Sequence, residues 1–319
     1  MRIAVTGGLG FIGSNFITYV LENYPKDTII NVDKETYAAN HAYLDIVEDD
    51  SRYTFCKADI AILEEIERPL KDVDVIVNFA AESHVDNSIV DSNPVVRSNF
   101  LGTVNLLNIA REYSIRFHQV STDEVFGSLP LSDESKFNEN TCYNPKNPYS
   151  ATKAAADHMV MAYYNTYSLP VTITHSSNNY GPHQHSEKLI PKTILNLVSG
   201  KRVPVYGSGA QIRDWLYVDD NCRAIDLVLR RGTIGQRYMI GGDCQLSNME
   251  VVEKVAEILG KGFDFIEHAE DRPGHDLRYS SDFTKLHREL GWYPRIAFDQ
   301  GIRTTVEHYL TNRDLYLVG

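Results

Sequence analysis

The first half of the chain alternates short, β-branched apolar runs with amphipathic stretches. The runs at 2–6, 28–33, 53–57, 73–78, 117–121 and 171–176 read as buried strands, and the apolar spacing at 11–24 and 99–113 reads as helix. Strands that alternate with helices predict an α/β fold, a Rossmann-type doubly wound parallel sheet with helices on both faces and right-handed crossovers. After about residue 176 the rhythm changes to shorter segments separated by loops rich in Asn, Pro, His and Gly. Ser247-Asn248-Met249-Glu250 is a capping box that opens a helix over 251–259, and Gly260 stops it. This second pattern predicts a smaller C-terminal substrate-binding domain interleaved with the first. Residues 1–175, plus 214–243, form the cofactor domain, and 176–213 with 244–319 form the other.

A chain of 319 residues is long enough for two closely joined domains. Its net charge of -12, with both signs interspersed, argues against a nucleic-acid or anionic-membrane surface but leaves room for a local basic pocket. Cys56, Cys142, Cys222 and Cys244 have neither CxxC spacing nor metal-ligand neighbours, so buried reduced thiols in a cytoplasmic protein are expected, with no metal. The chain starts at MRIAVTGG with no leader pattern, and no apolar run approaches the length of a membrane span.

The first predicted strand runs into Gly7-Gly8-Leu9-Gly10-Phe11-Ile12-Gly13, which fits both GxxGxxG and GxGxxG. Glycines there allow a tight turn, close approach to a pyrophosphate and close packing of the following helix, whose free N–H groups face the phosphates. Asp33 ends the second predicted strand, where a carboxylate accepts hydrogen bonds from the adenosine ribose and repels a 2′-phosphate. The cofactor expected is therefore NAD, although Lys34 beside Asp33 weakens the case against NADP. Asp59 ends the third strand, as an adenine contact or as a cap for the next helix.

Tyr149 and Lys153 form a YxxxK pair on one helix face, where the ammonium can lower the pKa of the phenol and hold a ribose. Thr122, Asp123 and Glu124 close the fifth predicted strand, at the sheet end that faces the crevice. Two adjacent carboxyls can divide acid and base duties if their surroundings separate their pKa values. The alternative is a loop pair that caps the next segment.

The segments TGGLGFIGS, DKETYAAN, AAESHVDNSI, STDEVFG, YSATKAAAD, SSNNYGP, EKLIP, RDWLYVDD and RPGHDLRY occur in this order across nearly the whole chain. The chain thereby resembles the dTDP-glucose 4,6-dehydratase family of extended short-chain dehydrogenases/reductases. The resemblance implies a homodimer and oxidation at C4 of a nucleotide-linked glucose, elimination of water across C5 and C6, and return of hydride to C6. It implies that Tyr149, with Lys153 and Thr122, handles the C4 hydroxyl proton, that Glu124 removes the C5 hydrogen, and that Asp123 protonates the departing C6 hydroxyl. It places Gly7, Gly10, Phe11, Ile12, Gly13, Asp33, Lys34, Thr36, Asp59, Ile60, Ala80, Ala81, Ser98 and Asn179 on NAD. It places Ser83 and Asn178 on the hexose side, and Lys188, Leu189, Pro204, Tyr206, Arg213, Asn248, Arg272, His275 and Tyr309 around the nucleotide diphosphate. Asn87 and His175 stand where the family usually has Arg. His84, His183 and His185 read as loop residues. The competing readings are a nucleotide-sugar 4-epimerase or decarboxylase on the same scaffold, and a non-catalytic NAD sensor. Thymine and uracil differ by one methyl group, too little for the sequence to separate.

Overall fold

Strands β1 (Arg2–Thr6), β2 (Thr28–Asp33) and β3 (Tyr53–Lys57) pair in parallel, and β4 (Val75–Asn78), β5 (Arg116–Thr122) and β6 (Val171–Ser176) extend the sheet beyond β1. A computed structural model of the protein describes residues 1–271 and 274–316. Three strands lie outside this run in sequence: β7 (Asn178–Tyr180), β8 (Val203–Tyr206) and β9 (Ile212–Tyr217). The chain then returns through helix Val218–Arg231 to β10 (Arg237–Ile240), which joins the large sheet beside β6. The order is β10-β6-β5-β4-β1-β2-β3. This is the doubly wound parallel arrangement expected, and it reverses direction between β1 and β4, where such sheets open a ligand crevice at their C-terminal ends.

Side-chain alternation along each strand builds the core on both faces. Ile3 and Val5 point into one cluster with Phe16, Val20, Ile225 and Trp292, while Ala4 points into the other with Ile66, Ile76, Leu106 and Phe117. A third cluster, around Tyr180, Ile194, Trp215, Val251 and Ile302, supports the smaller lobe. That lobe contains the sheets β11-β9-β7 and β12-β8, with β11 at Gln245–Ser247 and β12 at Ile266–Ala269.

Strand β4 begins two residues later than its apolar pattern suggests, because Val73 N bonds back to Leu70 O and closes the preceding helix. The expected 99–113 helix is in fact a π-helical turn, Val96–Gly102, followed by an α-helix, Thr103–Glu112. The capping box forms: Ser247 Oγ accepts from Glu250 N, and Glu250 Oε2 accepts from Ser247 N. The thiols depart from expectation. Cys222 is buried, Cys56 and Cys244 are half-buried, and Cys142 is exposed because it lies in the irregular segment ahead of helix Pro148–Tyr167. No described helix is long and apolar enough to cross a membrane.

Candidate active site

The β1 turn shows which glycine pattern applies. A Cβ on Gly7 would lie 2.7 Å from the Ala80 backbone, and one on Gly13 would run into Gly7 O. Gly8 packs on Asn31 and does not line the crevice, so the functional spacing is Gly7, Gly10, Gly13. Gly10 differs from its neighbours. Its absent Cβ would meet only Gly7 O, at 3.3 Å, and it borders a cavity of about 330 Å³. Gly10 also caps helix Phe11–Asn23 with no side-chain bond to the first N–H groups, which leaves them for an anion.

Phe11, Ile12, Asp33, Lys34, Thr36, Ile60, Ala80, Ala81 and Ser98 all line this cavity. Asp33 is buried at the end of β2, and its oxygens accept from Leu9 N at 3.0 Å and Glu35 N at 2.8 Å. A carboxylate oxygen has a further lone pair, so Asp33 retains acceptor capacity for ribose hydroxyls. Lys34 donates to Ser98 Oγ at 2.8 Å and lies 3.2 Å from Glu82 Oε1, so its charge is already paired with a carboxylate. Asp59 does not reach the cavity. It accepts from Ala61 N at 2.9 Å in the turn ahead of helix Leu63–Leu70 and faces Arg97; Ile62 stands at the start of that helix with no side-chain cap, so Asp59 does not cap it either.

Strand β5 and helix Pro148–Tyr167 deliver the chemistry to the same cavity. Thr122 caps a 3-10 turn, Asp123–Phe126, by accepting from Glu124 N at 3.2 Å. Asn147 and Ser150 form a capping box, with Pro148 in the first turn, and fix the start of the helix one residue before Tyr149. Thr122, Asp123, Glu124, Tyr149 and Lys153 all border the cavity. Asn99, in the π-helical turn, donates to Thr152 Oγ1 at 3.1 Å and to Glu82 O at 3.1 Å, which ties the helix to the loop after β4.

Electrostatics separate these groups. Burial, then the neighbouring Glu124 and Asp214 charges, push the Asp123 carboxyl well above the usual carboxylate range, which favours its protonated form. Burial, then Glu124, Asp123 and Asp157, push the Tyr149 phenol up. This corrects the expectation that Lys153 lowers it. Lys153 Nζ instead donates to Val120 O at 2.7 Å, and burial lowers its own pKa while Asp157 opposes.

The hexose-side residues Ser83 and Asn178 line the cavity, as do Asn179 and Lys188, the latter expected at the nucleotide diphosphate. Lys188 Nζ donates to Ser83 O at 3.1 Å across the mouth. The other expected nucleotide contacts among the described residues do not line it. Leu189 begins helix Leu189–Val198 and packs on the third cluster. Pro204 and Tyr206 sit on β8, with Tyr206 Oη 3.2 Å from Asp86. Asn248 opens helix Asn248–Ile258, and His275 bonds to Asp271 at 2.6 Å. Arg213 is buried, donates to Ile212 O and Asp276 O, and stacks on Tyr279 at 4.3 Å. Tyr309 is buried under the 183–185 loop and bonds to Gln184 O. Arg272 lies outside the described residues.

Sequence reading missed Gln184 and Glu187, which also line the cavity. Burial opposes ionisation of Glu187, but hydrogen bonding to His185 and the charges of Lys188, His84 and His185 bring it down to about 2. The packing of His and Lys around one Glu in HQHSEK was the available signal. Among the described residues, Asn178 Oδ1, Asn179 Oδ1, Gln184 Oε1 and Ser177 Oγ are buried on this cavity wall with no protein partner. Such orphaned groups, with the glycine cradle and Asp33, fit a dinucleotide and a polyhydroxylated substrate.

A parallel Rossmann-type sheet with this glycine turn and a buried YxxxK pair defines an extended short-chain dehydrogenase/reductase. The model of the GDP-mannose 4,6 dehydratase family matches residues 4–305, and the chain belongs to that family. It is 48% identical to the dTDP-glucose 4,6-dehydratase of Haemophilus influenzae, with 98% of each chain covered. The dTDP-glucose 4,6-dehydratase of Salmonella typhimurium is 45% identical, over 98% of this chain and 93% of the other. The fold superposes on a dTDP-glucose 4,6-dehydratase from Streptomyces venezuelae, solved with NAD bound, with a TM-score of 0.97, 44% identity and 99% coverage of each chain.

Proposed function

We propose that the protein converts dTDP-glucose to dTDP-4-keto-6-deoxyglucose with a resident NAD. The observation that carries this reading is the Thr122-Asp123-Glu124 turn on the same cavity as Tyr149 and Lys153, where burial favours the protonated form of Asp123. A 4-epimerase has no use for an acid and a base beside Thr122, and a decarboxylase has no leaving hydroxyl at C6 for Asp123 to protonate. The 44–48% identity to dehydratases supports the same choice.

Gly7, Gly10, Gly13 and the first turn of helix Phe11–Asn23 hold the pyrophosphate, and Asp33 holds the adenosine ribose. Bound NAD supplies a hydride acceptor at C4 and later the hydride donor at C6. Tyr149 takes the proton from O4, with Thr122 Oγ1 orienting that hydroxyl. Lys153 holds the nicotinamide ribose. The C4 ketone acidifies the C5 hydrogen, Glu124 removes it, and Asp123 donates its proton to O6 as water leaves. The thymidine diphosphate extends toward Lys188 and the smaller lobe. In this reading residues 1–175 with 214–243 serve the cofactor, and 176–213 with 244–319 serve the sugar nucleotide.

Supplying dTDP-glucose deuterated at C4 tests the reading. The label is expected in the C6 methyl group of the product, with solvent hydrogen at C5, and denaturation is expected to release NAD in preference to NADP. Label retained at C4 excludes dehydration. We further propose a homodimer built through the helices at 99–113 and 149–167, where exposed Leu101 and Tyr167 lie. Light scattering at micromolar concentration is expected to give twice the chain mass, and a monomer there contradicts it.

A further inference from the structure

Three carboxyls crowd the end of β5 and the middle of β9, and their hydrogen-bond donors are distributed unequally. Asp214 is buried and accepts three backbone N–H bonds: from Cys244 at 3.0 Å, Gly242 at 3.2 Å and Ser281 at 3.3 Å. Asp123 is equally buried, and the described bond to it is a long one, 3.4 Å from Ser281 Oγ. Ser281 thus touches both, with its N–H on Asp214 and its hydroxyl on Asp123. N–H donors favour the ionised form of a carboxyl, whereas a buried carboxyl with few donors beside an anion keeps its proton.

We propose that Asp214, pinned as an anion by the backbone of Gly242, Cys244 and Ser281, is a positioning residue that keeps the proton on Asp123. This rests on the reading of Asp123 as the acid that protonates O6, and assigns that acid its electrostatic support. The charged and titratable groups that face Asp123 are Glu124 on the same turn, Tyr149 on the helix, and Arg213 and Asp214 on β9, while Lys136 faces Asp214. Arg213 works against the proton, but its guanidinium is tied to Ile212 O and Asp276 O. Burial raises both carboxyls. In Asp214 the three N–H bonds and Lys136 oppose that rise, and in Asp123 the Glu124 and Asp214 charges add to it. Of the two, Asp123 therefore holds the proton at neutral pH.

The proton's location can be read without turnover. In full-length protein at neutral pH, the infrared carbonyl band of a protonated carboxyl is expected to lose intensity in Asp123→Asn. An unchanged band puts the proton elsewhere and overturns the proposal. The pH dependence of kcat supplies the second test. Asp123 must be protonated to act, so activity is present below its pKa and lost above it. Asp214→Asn removes the nearby anion and is expected to move this alkaline limb to lower pH by about one unit or more. Ser281→Ala removes a bond that favours the charged form of Asp123, so its limb is expected to move to higher pH. Opposite shifts separate electrostatic support from general loss of structure. A limb unmoved in Asp214→Asn, or moved upward, overturns the proposal. If Asp214→Asn does not fold, the infrared comparison and the direction of the Ser281→Ala shift decide. Failure of wild-type protein to move the C4 label would sink the dehydratase reading and leave the infrared result standing.

Discussion

Replacing Tyr149 with Phe is expected to slow C4 oxidation by about 10²- to 10⁴-fold, the usual worth of a positioned proton acceptor, while substrate still binds. The ring is buried in the first turn of its helix, and Phe keeps the packing, so the loss is chemical. The free site holds Tyr149 as a phenol, because burial and then the Glu124, Asp123 and Asp157 charges disfavour the phenolate. Lys153 does not offset this while its ammonium donates to Val120 O. Where proton transfer to Tyr149 limits turnover, the rate is therefore expected to rise with pH on the acid side. Stopped-flow absorbance of cofactor reduction with wild-type and Tyr149→Phe protein measures both effects, and unchanged oxidation in the variant removes Tyr149 from the mechanism.

The parts of this site that were legible in the sequence are those fixed by local chemistry. The β1 turn could be read because only glycine fits where Gly7 and Gly13 meet other backbone. Asp33 could be placed because a strand end is marked by the stop of its apolar run, and Tyr149 with Lys153 because helix periodicity puts them on one face. The parallel, doubly wound class of the large sheet followed from alternation of strand and helix, while β10, whose four residues make too short a pattern to separate from the loops around it, did not. Elsewhere tertiary context decided. The π-helical turn at Val96–Gly102 places Ser98 on the cavity and Asn99 on Glu82 and Thr152, and no sequence spacing announces i→i+5 bonding. Arg213 looked like a pyrophosphate clamp because arginine usually serves anions. Its place on β9 buries it against Tyr279 and two carbonyls, contacts that no sequence spacing announces. Tyr309 is hidden for a similar reason: helix Phe298–Thr311 turns it into the third core cluster.

Asp123→Asn is expected to lower dehydration by about 10²- to 10⁴-fold while leaving C4 oxidation largely intact. Asn resembles a protonated carboxyl in size and lack of charge, so it suits a position where burial and the neighbouring Glu124 and Asp214 already disfavour the carboxylate. The variant is therefore expected to unfold within a few degrees of the wild type, and its defect is confined to the missing proton. Glu124 remains in place and still meets the C5 hydrogen once the ketone has formed. In deuterium oxide, Asp123→Asn is expected to exchange C5 hydrogen for deuterium in recovered substrate without losing O6. Glu124→Gln should oxidise C4 but show neither exchange nor elimination. This pair of outcomes assigns acid and base separately, because the base acts on carbon before the acid acts on oxygen. The alternative order, with O6 protonated first, predicts no C5 exchange in Asp123→Asn. If both variants exchange the C5 hydrogen, Glu124 is not the base, and the division of roles by burial is wrong. NMR of the recovered sugar nucleotide distinguishes these cases through the C5 proton signal.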